Sequence, residues 1–120
     1  MKYICLVYHE EEALRALSKA DSAKLDADSL AYDRQLDKAG HLVAAEALQS
    51  VRTAKTVRKR GGRALVTDGP FAETKEQLLG FVMIEASDLD EAVAIAADIP
   101  LALMGMVEVR AIHDIPEPGR

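Results

Sequence analysis

The chain holds a single cysteine among its 120 residues, so no internal disulfide can form. A lone Cys5 inside an apolar run fits a protein of a reducing cytoplasm. No run of about 18 apolar residues occurs, so no membrane span is expected. Metal-ligand spacing is missing too: His9, His41 and His113 are scattered, and neither a metal nor another cofactor is expected. Gly61-Gly62 joins two strand-like runs and opens no helix, which excludes a phosphate loop. No serine sits in a nucleophile-elbow context. There is no low-complexity segment and no linker apart from the tail 116–120. The opening MKYICLVYHEEE has no small-residue cleavage site ahead of its acids, and reads as a first strand rather than a targeting signal. The net charge of -5 argues against a general nucleic-acid binder.

What remains is one domain, 49% hydrophobic and 29% charged, long enough to bury about two thirds of its unfolded surface. KYICLVY (2–8) is a strand apolar on both faces, with Tyr3, Cys5 and Val7 on one and Ile4, Leu6 and Tyr8 on the other. A short acidic helical start (10–17) leads to Ser18, which can cap a helix with Asp21 three residues on. That helix runs to about Ala39, with Leu25, Tyr32, Leu36 and Ala39 on one stripe and Gly40 as its stop. HLVAAEAL (41–48) is the second strand. Strands near 53–60 and 63–67 flank Gly61-Gly62, a pair suited to a tight hairpin turn. LLGFVMIEA (78–86) is again apolar on both faces. Ser87 and Asp90 suggest a second cap, followed by a helix with Leu89, Ala92, Val93 and Ala96 buried and Pro100 as its stop. The last strand covers about 105–113.

This order is two split β-α-β units with an inserted β-hairpin, an α+β ferredoxin-like sheet carrying both helices on one face. The other face would then be an uncovered apolar patch. Its simplest cover is a second copy, making a two-fold homodimer; the alternative is that the hairpin folds back over the sheet.

Candidate site residues follow from topology. TDGPFAETKEQ (67–77) lies between two apolar runs and arrives at the sheet end where Tyr8 and His9 emerge, whereas His41 belongs at the opposite end. Asp68 has two readings. Asp-Gly-Pro is good turn chemistry, its carboxylate accepting from downstream amides, with Gly69 steered toward extended backbone by Pro70 and Phe71 plugged onto the core. Asp68 can also be an acid–base group, with His9 as its nearest histidine. Glu73 and Lys75 are solvated or salt-bridged on one reading and functional on the other. Glu46 shares a strand face with Leu42, Ala44 and Leu48, and Glu108 shares one with Arg110. Arg110 paired with either glutamate is a structural ion pair or an anchor for an anionic ligand. The basic run Arg52, Lys55, Arg58, Lys59, Arg60 and Arg63 is a solvated face, or a contact for an acidic partner or a second copy.

VTDGPFAETKEQLLGFVMIEASDLDEA resembles the signature of the DGPF-type, YCII-related proteins, and KYICLVY, AEALQ, the GGR hairpin and GMVEVR resemble further segments of that family. The resemblance implies a homodimeric α+β barrel with a cleft beside the sheet. It also implies a possible enzyme, because YCII-type proteins carry a His–Asp pair in that cleft, and an association with extracytoplasmic-function sigma factors. Here the long helix holds no histidine, Leu79-Gly80 replaces the usual Gly-Gly, and Leu103 and Met104 stand where polar or basic residues are usual. Two functions stay open, with a purely structural dimer behind them: cofactor-free acid–base chemistry on a small organic molecule, through Asp68 with His9, Glu46 or Arg110, or a non-catalytic protein that binds a small molecule or a sigma-factor-like partner.

Overall fold

A computed structural model describes residues 1–119. Of the tail expected over 116–120, Arg120 lies outside the described residues. The chain runs β1 (Lys2–His9), α1 (Glu11–Arg15), α2 (Lys19–Lys38), β2 (Leu42–Ala47), a 3-10 turn (Val51–Thr53), β3 (Lys55–Arg60), β4 (Arg63–Asp68), β5 (Gln77–Glu85), α3 (Leu89–Ala97), a second 3-10 turn (Pro100–Leu103) and β6 (Met106–Ala111). Four strands form an antiparallel sheet in the order β2-β5-β1-β6, and β3 and β4 form a separate two-stranded ribbon. This is an α+β architecture compatible with a ferredoxin-like fold.

Local chemistry accounts for the element ends. Ser18 accepts the Asp21 N–H at 3.0 Å and starts α2, and Gly40 at φ 80° follows its end. The α3 cap sits one residue later than the sequence suggested: Asp88 accepts from the Glu91 N–H, while the Glu91 carboxylate accepts from the Ser87 N–H. Its buried face also differs. Ala92, Ile95 and Ala96 are buried, whereas Leu89 and Val93 are 52% and 49% exposed. Ala39 is exposed as well, and only Leu36 of the expected α2 stripe is fully buried. Tyr32 ties the two helices together by donating to the Ile95 carbonyl at 2.7 Å, and its burial, with Asp98 and Cys5 nearby, pushes its pKa up to about 12.

The register gives the sheet two distinct faces. On the helix side, Ala45, Val82, Cys5 and Val109 form one lateral row, and Leu42, Ile84, Tyr3 and Ala111 another. Ile84 and Cys5 are completely buried there. Burial pushes the Cys5 thiol up to about 11, as suits inert packing. On the opposite face a row runs Glu46, Phe81, Leu6, Glu108, and the next runs Ala44, Met83, Ile4, Arg110. Leu42 therefore does not share a face with Glu46. An irregularity between Leu42 and Ala44 turns Leu42 to the core and leaves Glu46 on the open face, a shift invisible in the strand's alternation.

The ribbon does not fold back over that open face. Residues 57–68 are all exposed, Val57, Leu65 and Val66 by 63%, 51% and 59%. The chain measures 48 × 46 × 19 Å, with a radius of gyration of 16.8 Å where a compact domain of this length has about 14 Å. The ribbon is an arm.

Candidate functional site

A cleft of about 930 Å³ opens where the arm joins the end of the sheet. Tyr8, Leu48 and Leu78 line it from the sheet, 50–54 from one side, and Gly69, Pro70, Phe71, Glu73 and Thr74 from the other. The bend that creates it begins at a bulge: Val7 pairs with Gly80 but Tyr8 with Leu78, so Leu79 is the extra residue of β5. Two glycines allow the close approaches around it. A Cβ on Gly80 would lie 2.6 Å from the Glu46 carbonyl oxygen, and one on Gly105 only 2.1 Å from that of Tyr8.

One buried carboxylate joins the walls. Glu11 accepts from the Ser50 hydroxyl at 2.7 Å and from the Val51 N–H at 2.8 Å, fixing the start of the 3-10 turn. Its own N–H donates to Gln77 Oε1 at 2.9 Å, and Gln77 Nε2 donates to the carbonyls of Thr74 and Lys75. Burial alone would raise the Glu11 pKa. The bonds from Ser50 and Val51, with the Arg15 guanidinium, outweigh it and hold the group below its ordinary value. Sequence reasoning missed this residue, because within Glu10-Glu11-Glu12 nothing distinguishes the carboxylate that meets Ser50 and Val51.

The other wall departs from expectation. Asp68 is 87% exposed in its side chain and pairs with Lys55, its neighbour across the arm. Among the described residues no amide of 69–72 donates to it. The turn is held instead by the Gly69 N–H donating to the Ala54 carbonyl at 2.7 Å and by Thr56 Oγ1 donating to the Gly69 carbonyl at 2.8 Å. Gly69 adopts φ 90°, not the ordinary extended backbone expected before Pro70, and glycine alone takes that angle without strain. Phe71 is 82% exposed and overhangs the cleft rather than plugging the core.

The expected site residues thus divide. Tyr8, Phe71 and Glu73 line the cleft. Lys75 reaches Glu10 at 3.5 Å. His9 does emerge at this end of the sheet, against Gly105, but no described bond or ion pair joins it to Asp68. His41 lies at the far end, its Nδ1 2.8 Å from the Glu85 carbonyl. Glu46 and Arg110 stand on the open face away from the cleft. Arg110 Nε meets Glu108 at 3.9 Å with both side chains more than half exposed, a loose surface pair.

A model of the YCII-related domain matches residues 1–116. The chain belongs to the YCII-related family. An uncharacterised protein of Rhizobium meliloti (strain 1021) is 40% identical over 121 residues, covering 99% of this chain and 97% of that protein. The whole sheet, both long helices and the arm fall inside the YCII match. Among the described residues no helix is long and apolar enough to cross a membrane.

Proposed function

We propose that this YCII-related protein is a homodimer that binds a small organic molecule, with an apolar body and one or two polar groups, in the cleft at the root of the arm. The observation carrying the binding reading is the 930 Å³ cleft with walls cross-tied through buried Glu11. Such a volume suits a small ligand, and a pre-tied wall lowers the ordering cost of binding. Tyr8, Leu48, Leu78 and Phe71 offer apolar contact, while Arg52 and Glu73 offer polar anchors. The dimer reading rests on the half-buried row Phe81–Leu6 and its neighbours Met83 and Ile4, which lie on the face away from the helices.

Binding is favoured over acid–base catalysis because Asp68 is drawn to Lys55, no described bond joins it to His9, and neither residue lines the cleft, which leaves it without the pair that proton transfer would use. A thermal-shift screen of small acids and amides tests the reading. A ligand at 100 times its Kd should add about 2.7 kcal/mol of stability. Leu48→Arg, a change at an exposed cleft position, should abolish that shift without unfolding the protein. A ligand that stabilises both forms equally binds elsewhere and removes the proposal.

A further inference from the structure

The arm is the most unequally charged part of the molecule. Residues 52–63 carry six of the fifteen basic residues and none of the twenty acidic ones, leaving nine basic against twenty acidic elsewhere. It is also an isolated two-stranded ribbon, an element marginal in water unless it packs on something. Its register is nonetheless regular from Lys55↔Asp68 to Arg60↔Arg63, and Gly61 and Gly62 close it at φ 57° and 77°. One ribbon face carries Lys55, Val57 and Lys59 opposite Asp68, Val66 and Ala64, and the other carries Arg58, Arg60 and Arg63 around Leu65.

We infer that each arm clasps a second copy of this chain, lying along the margin of the partner's open sheet face. There its valines would cover apolar rim and its cations would meet the carboxylates Glu46 and Glu108. This rests on the homodimer proposed above and specifies what the arm does in it. Charge complementarity selects the occupant. The open row Glu46–Phe81–Leu6–Glu108 is apolar in the middle and acidic at both ends, so sheet can meet sheet at the centre while a basic arm takes a margin. Glu46 is exposed, and Glu108 makes a loose contact with Arg110. Reach fits as well: six residues of strand extend about 20 Å, while four strands span about 14 Å. A two-fold axis lets both arms close at once, leaving none free to recruit a third copy. Because Arg52, Thr53, Ala54 and Gly69 belong to both the arm's root and the cleft, the clasp also steadies the cleft wall.

The test is sedimentation equilibrium of the protein by analytical ultracentrifugation at about 50 and about 500 mM salt. Wild type should be a dimer whose Kd rises at least tenfold with salt. The exposed triple variant Arg58→Glu, Lys59→Glu, Arg60→Glu should weaken it at least tenfold at low salt, with an unchanged melting curve for the monomer. Adding Glu46→Lys or Glu108→Lys should recover much of that loss, and the better rescuer identifies the margin. A second variant, with 57–66 replaced by two glycines, should dimerise as weakly as the triple variant. If wild type is a dimer and both arm variants match it at either salt, the clasp is wrong and the dimer stands. If wild type is monomeric at micromolar concentration, the dimer reading itself fails. Salt-sensitive binding of the wild-type arm to a DNA duplex, with dimerisation unaffected by the triple variant, would also overturn the clasp.

Discussion

The two faces of the sheet's central strands, β1 and β5, have opposite fates. Ile84, Cys5 and Tyr3 alternate along β5 and β1 with Met83, Ile4 and Leu6, so the inventory of apolar side chains is nearly equal on the two sides. Helices cover the first set to between 0% and 3% exposure, and the second stays half-buried. Covered apolar surface stabilises the single chain, and uncovered apolar surface stabilises association. β1 can therefore serve folding with its odd residues and association with its even ones, and β5 does so with the parity reversed.

Substitution on each face should separate the two effects. The largest change is expected from Ile84→Ala, which leaves a cavity beside its cross-strand partner Tyr3 and should cost about 2–5 kcal/mol in chemical denaturation. A loss under 1 kcal/mol would mean that the covered face is not the folding core. Leu6→Asp lies one residue from Cys5 but faces the other way. It should shift light scattering from about twice the 13.0 kDa chain mass to the monomer while leaving a cooperative unfolding transition. If Leu6→Asp remains dimeric, the open face is not the interface.

Glu11 gives the next effect. Glu11→Ala leaves the Ser50 hydroxyl and Val51 amide without their acceptor, for a loss of about 1–3 kcal/mol. Because the folded pKa of Glu11 is depressed, the folded state holds its proton less tightly than the unfolded chain. Its contribution is therefore present above the ordinary carboxylate range and is lost as pH falls through the folded value. Wild type should lose more stability than Glu11→Gln between pH 6 and pH 3, measured by urea unfolding, and parallel curves would exclude this role. The smallest effects belong to exposed pairs. Arg110→Ala and Asp68→Asn should each change stability by about 0–1 kcal/mol, and Asp68→Asn should retain ligand affinity in the thermal-shift assay. A loss of turnover in Asp68→Asn, on any substrate the screen finds, would restore the acid–base reading.

How far the sequence could be read depended on how local each cause was. The doubly apolar patterns of 2–8 and 78–86, the Ser18 cap and the Gly61-Gly62 turn are set within a few residues, and element order and sheet direction followed from them. The orientation of Glu46 turned on a bulge at Val43 of β2, between Leu42 and Ala44, which shows only in the pairing with β5. The α3 stripe differed because packing on the sheet, not the local apolar pattern, chooses the buried face: 92, 95 and 96 turn inward while Leu89 and Val93 stay exposed. Phe71 looked like core on hydrophobicity alone, yet nothing nearby in sequence supplies the cavity it would fill. The cleft's main tie, Glu11, draws on Ser50, Val51 and Gln77, separated from it by up to 66 positions, and pattern carries no record of such a meeting.

The sole thiol makes the covered face directly readable by experiment. Cys5 has no accessible surface, and with its pKa near 11 only roughly one molecule in a thousand would carry a thiolate at pH 8 even if a reagent could reach it. A disulfide reagent should therefore label the protein only through opening of the β1 face. With reagent in excess, the ratio of labelling rates in native and denatured protein gives the opening free energy at this one residue, without any mutation or attached dye.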